Sequence, residues 1–206
     1  SGTFSVDITS SKALLDYLSV TKVGETLTIK LSPNHPFTDF VLMRKVLKAR
    51  ITMPVLRGVA LSGASTAVVS GFESATALDL NIAGASTMKL NGIETGDANI
   101  DVSGACGLDG KLTAANVKLD VSGASHVELS GSGKDARLTG SGASRLDFER
   151  FIHKTATVTL SGASQATVDT REHLDFSLSG ASRLFFLSNP KMGIMEVMGA
   201  STVKHK

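Results

Sequence analysis

The acidic residues are the side chains whose types and spacing could do chemistry. Five positions after each of eight Gly-Ala-Ser-type triplets stand Val68, Lys89, Asp109, Glu128, Asp147, Thr167, Phe185 and Lys204, so three acids follow one another. If the triplets stack as neighbouring strands, those acids lie about 5 Å apart, which is repulsive unless something positive intervenes. Two readings compete. Arg145 and Lys89 could neutralise the acids in a surface charge lattice, or Asp109, Glu128 and Asp147 could hold a cation. Calcium would suit such a site because it takes hard oxygen ligands. No EF-type or nonapeptide calcium repeat accompanies them. The file two residues nearer the glycine supplies His126, Arg145, Gln165 and Arg183.

A second pair of acids, Asp101 and Asp120, sits three residues before successive glycines. Pectate-lyase-type solenoids work with outward Asp clusters, calcium and a basic residue, so a polysaccharide lyase or hydrolase is one reading of this chain. Against it, the repeats are short and uniform, with no long insertion to wall a cleft. Only Phe185 offers an outward aromatic for a sugar to stack on. Cys106, the single cysteine, occupies a serine slot of the repeat with no His or Asn placed to activate it, and reads as a buried isosteric replacement. Histidines 35, 126, 153, 173 and 205 lack zinc spacing, and no Gly-x-Ser-x-Gly, phosphate loop or dinucleotide fingerprint is present. A non-catalytic protein is the reading these absences favour.

The elements that must position these residues repeat along the chain. The triplet glycines are Gly63, Gly84, Gly104, Gly123, Gly142, Gly162, Gly180 and Gly199, in steps of 21, 20, 19, 19, 20, 18 and 19 residues. A period near twenty marks a solenoid whose repeats bury their apolar sides against one another. Around the triplets the polarity alternates. In the fourth copy Val117, Leu119, Val121, Gly123, Ser125, Val127 and Leu129 share one parity, while Lys118, Asp120, Ser122, Ala124, His126 and Glu128 share the other. Period two means strands with one buried face. The predicted fold is all-β: a right-handed, largely parallel, single-stranded β-helix of about eight coils over residues 58–206, with an N-terminal β segment, residues 1–57, capping it.

At about 4.8 Å per coil the glycine file would run about 34 Å. The parity puts the glycines inside, at sharp corners. It puts Ser65, Ser86, Cys106, Ser125, Ser144, Ser164, Ser182 and Ser201 in an internal ladder whose hydroxyls must find partners. The Gly-, Asn- and Asp-containing stretches between strands signal turns, with Phe72, Ile93, Leu112 and Ile152 as apolar plugs. In the first 57 residues, FSVDI (4–8) and a hairpin about Gly24-Glu25 read as strands. Residues 32–40 form a Pro-containing loop; Val41–Val55 could be helix or strand, with strand favoured from Val46.

Composition narrows the function classes. Lys+Arg number 21 against 19 Asp+Glu, with no block of like charge, no Trp and only Tyr17 beside the phenylalanines. A nucleic-acid surface would need a basic, aromatic stripe. No apolar run reaches the length of a membrane span. The chain opens Ser1-Gly2 without Met, as expected if an export signal has been removed.

The repeated V/L-S-G-A-S strands, the segment ALLDYLSVTKVGETLTIKL (13–31) and the entry KARITMPVLRGVALSGAS (48–65) resemble the auto-transporter adhesins with a head GIN domain, common among exported envelope proteins of Bacteroidetes. The likeness covers nearly the whole chain. It implies a right-handed, largely parallel β-helix in an exported protein, often lipid-anchored through a cysteine of the leader. The Ser after Gly-Ala departs from the Gly or other small residue that relatives often carry. The function expected is display in the periplasm or at the cell surface: a rigid surface for a glycan, matrix or envelope-protein partner. A third possibility is an assembly module, a homo-oligomer joined through the strip of Ser and Ala flanking each glycine.

Overall fold

The computed structural model describes residues 4–32 and 47–206. The chain divides into two compact units, Ser1–Pro54 and Val55–Lys206. In the first, strand β1 (Ser5–Ser10) pairs antiparallel with β4 (Leu47–Thr52). A single helical turn, α1 (Lys12–Leu15), leads into the hairpin of β2 (Leu18–Val23) and β3 (Thr26–Leu31). Gly24 supplies the positive φ of 58° that this tight turn needs. The expected Pro loop, apart from Ser32, and the start of the strand at Val46 lie outside the described residues.

The second unit is a parallel β-solenoid. Its strands are β5 (Gly58–Leu61), β6 (Thr66–Ser70), β7 (Leu78–Gly84), β8 (Thr87–Gly104), β9 (Gly107–Val121), β10 (His126–Ser132), β11 (Asp135–Gly140), β12 (Arg145–Leu160), β13 (Gln165–Leu178), β14 (Arg183–Leu187), β15 (Lys191–Val197) and β16 (Thr202–His205). Among the described residues these 12 strands form one sheet, every pair parallel and each coil bonded to the next. About eight turns stack in this way, one for each corner glycine.

Inward residues stack into files through that register. On one side run Leu80, Ile100, Leu119, Leu138, Val158 and Phe176. On the other run Met88, Leu108, Val127, Leu146, Ala166 and Leu184. All are buried, and full burial of one large aliphatic side chain contributes about 1.5–3 kcal/mol. The files, not local propensity, hold the coils together.

Three expectations are corrected. The stretches between the triplet strands are not all turns: β8, β9, β12 and β13 run through them as strands of 14 to 18 residues, bent at bulges. Their glycines serve as bend points within a continuing ladder; Gly92, with φ 64°, lies within the register shift between Leu90 and Ile93. Second, the triplet glycines do not face inward. Gly and Ala are both exposed at every corner, and the chain re-enters the core at the serine slot. The period-two reading fails there because the corner is a turn. Third, Ile152 is 46% exposed and Phe151 is buried in its place. Between Glu128 and Ser130 the partner strand carries one extra residue, since Glu128 faces Asp147 but Ser130 faces Arg150. One added residue reverses which side chains point inward. Phe151 then lies opposite Gly131, itself opposite Leu112, and a Cβ on Gly133 would come within 3.1 Å of the Phe151 ring. Gly133 makes room for the ring, which packs edge-on against Phe148 at 5.3 Å between centroids.

Candidate functional site

Each corner follows one bonding scheme. The glycine carries a positive φ, from 71° at Gly199 to 100° at Gly104, and its carbonyl accepts the N–H of the alanine in the next coil. Ala124 N donates to Gly104 O at 2.8 Å and Ala143 N to Gly123 O at 2.9 Å. The slot two residues after the glycine is buried from Ser86 through Ser182, and half-buried at Ser65 and Ser201. At five of these slots the side chain closes a short loop back onto the carbonyl three residues earlier, while Ser125 and Ser201 donate instead to the corner glycine carbonyl of the preceding coil. Ser86 Oγ donates to Ala83 O (3.0 Å), Ser164 Oγ to Ser161 O (2.8 Å) and Ser182 Oγ to Ser179 O (2.8 Å). It also joins the coils: Ser65 N donates to Ser86 Oγ, Cys106 N to Ser125 Oγ, and Ser182 N to Ser201 Oγ. Ser144 Oγ donates to Ser164 Oγ at 3.1 Å. Cys106 fits the same scheme, its Sγ accepting Ser86 N–H at 3.4 Å and donating to Ser103 O at 3.2 Å. These groups are engaged in holding the corner, so the surface available for recognition lies in the outward files.

The acid file forms in the stated order: Lys89 opposite Asp109, Asp109 opposite Glu128, Glu128 opposite Asp147. The three acids are not equivalent. One ligand atom from each of Asp109, His126 and Glu128 lies within 4.8 Å of the others, with His126 Nε2 at 3.9 Å from Glu128 Oε2. Asp147 is not part of this group: Arg145 Nη2 is 3.7 Å from it, and it accepts the Glu149 N–H at 3.2 Å. Glu128 in turn is paired with Arg150. Lys89, Asp109, Gly110, Glu128, Ser130 and Arg150 line a shallow notch of about 320 Å³. Arg150 is the neutralising residue that fixed spacing misses, because the extra residue in β12 brings it beside Glu128. These pairs are largely exposed, and such pairs are worth about 0–1 kcal/mol.

Asp101 and Asp120 also stand in register, and Lys118 lies 3.2 Å from Asp120. The same face carries amide–carboxylate rungs, Asn99 to Asp79 and Asn116 to Asp97, both 2.8 Å. The two amide–carboxylate rungs fasten successive coils to one another.

The buried polar cluster around His153 was not legible in the repeat. Phe148 faces Val168, yet Ile152 faces Asp169, so β12 carries three extra residues over its neighbour. His153, Asp169 and Thr170 are drawn inside as a result. His153 Nδ1 donates to Phe151 O at 2.9 Å, leaving Nε2 to accept the Thr170 hydroxyl at 2.8 Å. Burial pushes the His153 pKa below its usual range, against smaller opposing effects from the Phe151 carbonyl and Asp169. Asp169 is held by Arg171 at 2.8 Å and by Ser188 Oγ at 2.6 Å.

Fold and surface together define a class: a parallel β-solenoid with bonded corners and outward side chains held in register. The chain belongs to the family described as "Putative auto-transporter adhesin, head GIN domain", whose model matches residues 1–190. Two solved structures from Parabacteroides distasonis ATCC 8503 share the fold. The crystal structure of a putative adhesin has a TM-score of 0.82 at 16% identity, covering 98% of this chain and 83% of that one. That of a putative lipid binding protein has a TM-score of 0.78 at 15% identity, with the same coverage. No curated protein matches the chain.

Proposed function

We propose that this protein is a non-catalytic, exported module of the cell envelope that presents a stiff, repetitive binding surface. The carrying observation is the uniformity of the coils. The steps of 18 to 21 residues leave no room for long inserted loops, so every outward side chain belongs to a file set by its neighbours. Catalytic solenoids need a walled cleft in which a few groups act on one bond; a ladder suits an extended partner that touches several coils at once. The family description as an adhesin, and the adhesin named among the structural neighbours, support a surface role, and export follows from that role.

A glycan array probed with the purified protein, alongside an assay for unsaturated products from uronate polymers with calcium, tests the proposal. Saturable binding without product release is the expected result. Release of unsaturated products would replace display with lyase chemistry.

A further inference from the structure

Resting on the display reading, we propose that the outward face of the last coils carries a subsite for an acidic sugar unit, centred on Phe185. Leu184 is buried and Phe186 packs on the core, so the strand alternation turns Phe185 outward, where it is half-buried. Thr167 lies beside it on one side and Lys204 on the other. The adjoining file places Arg183 between Gln165 and Thr202. Thr167 is itself buried, so the aromatic ring is bordered at the surface by the guanidinium of Arg183, the ammonium of Lys204, the amide of Gln165 and the hydroxyl of Thr202, on three successive coils.

The charge balance selects the ligand. Every acid of the last four coils is already engaged. Asp147 is with Arg145, Glu149 with Lys206, Asp169 with Arg171 and Ser188, Glu172 with Lys154, Asp175 with His173 and the Ile194 N–H, and Glu196 with Ser177. Arg183 and Lys204 have no acidic partner among the described residues. Two free cations flanking an outward ring fit a sugar that carries a carboxylate or sulfate. Its C–H face would lie on Phe185, and its anion would take the Arg183 fork and the Lys204 point charge. Coils rise by about 4.8 Å, comparable to one pyranose unit, so a chain running along the solenoid would meet successive rungs in step.

The test is titration calorimetry of the whole chain with polygalacturonate, dextran sulfate and neutral dextran. Polygalacturonate and dextran sulfate separate carboxylate from sulfate. We expect binding to at least one of these acidic polymers and none to dextran. Phe185→Ala and Arg183→Gln should each weaken it about tenfold, on the scale of one lost charge-assisted bond. Lys111→Gln, an exposed cation elsewhere on the solenoid, should change nothing, and unchanged melting temperatures would show that the variants fold. The subsite is overturned if Phe185→Ala binds like the parent, or if Lys111→Gln weakens binding as much as Arg183→Gln, because either pattern is plain polyelectrolyte attraction. Binding only to neutral glycans would end this inference and leave the display reading intact. No binding to any polymer or array glycan would end both.

Discussion

Alanine at a corner glycine separates two reasons for glycine that the fold combines. Gly123 has φ +79°, and an added Cβ would stand 2.3 Å from Gly104 O and 3.0 Å from Gly104 N. Gly92 has φ +64° with nothing within 4 Å of the same position. Both substitutions carry the left-handed strain of about 1–2 kcal/mol. Both recover about 0.4–1 kcal/mol through a stiffer unfolded chain. Gly92→Ala should therefore cost about 1 kcal/mol. Gly123→Ala must in addition push apart two backbone segments that cannot rotate away, loosening the Ala124–Gly104 and Ala143–Gly123 bonds. At about 1 kcal/mol for each bond, its cost should reach about 3 kcal/mol. Urea unfolding followed by far-UV circular dichroism measures both. Because solenoid coils are coupled only to their neighbours, the Gly123 variant should also show a shallower or split transition. Equal costs for the two variants, within about 0.5 kcal/mol, would mean that the glycine file serves φ alone and that close stacking of corners is not what the repeat conserves energetically.

Other consequences follow from the same geometry. His153 is buried and neutral, and its pKa is lowered from the ordinary 6.5. The unfolded chain therefore binds the proton first. Stability should fall as pH drops through 6.5 toward the lower folded value, and level off below it. The loss of melting temperature between pH 7.5 and 5.5 should shrink in His153→Gln, whatever that variant's absolute stability. Cys106→Ser should stay within about 1 kcal/mol of the parent by urea unfolding, since a hydroxyl can make the same bonds. Cys106→Val should cost about 1–3 kcal/mol, because it strands the buried Ser86 N–H. If the acid file is a neutralised lattice, millimolar calcium should shift the melting temperature of the parent and of Asp109→Asn/Glu128→Gln equally in differential scanning fluorimetry. A shift confined to the parent would revive the cation site.

What could be read in the sequence follows from how the solenoid averages its constraints. Gly123 and Ser125 must each satisfy the coil before and the coil after, so the same residue types recur at every corner and the period is plain. The outward files are legible for the same reason: once the glycines align, Asp109, Glu128 and Asp147 must align as well. Counting fails where a coil gains or loses a residue. The residue that β12 has in excess of β10 exchanges Phe151 for Ile152 and carries Arg150 to Glu128, and the same stretch, three residues longer than its match in β13, takes His153 inside. Spacing from the glycine places residues only as far as the first bulge. Corner orientation failed for a different reason: alternation is a property of strands, and Gly-Ala is a turn whose handedness appears in φ and not in hydrophobicity.

The same averaging indicates where function can be read. A residue repeated in all coils is explained by stacking, as the corner serines are by their bonds to the coils on either side. A residue that breaks its file without serving the core has no such explanation. Phe185 stands in a file that otherwise holds a valine, two lysines, three acids and a threonine. Placing an outward phenylalanine between two polar neighbours in register, Thr167 and Lys204, gains little that Val or Thr would not supply, and beside it Arg183 is left without a counter-ion. The fold tolerates this pair without requiring it, so an interaction beyond the chain is the economical physical reason for their being together.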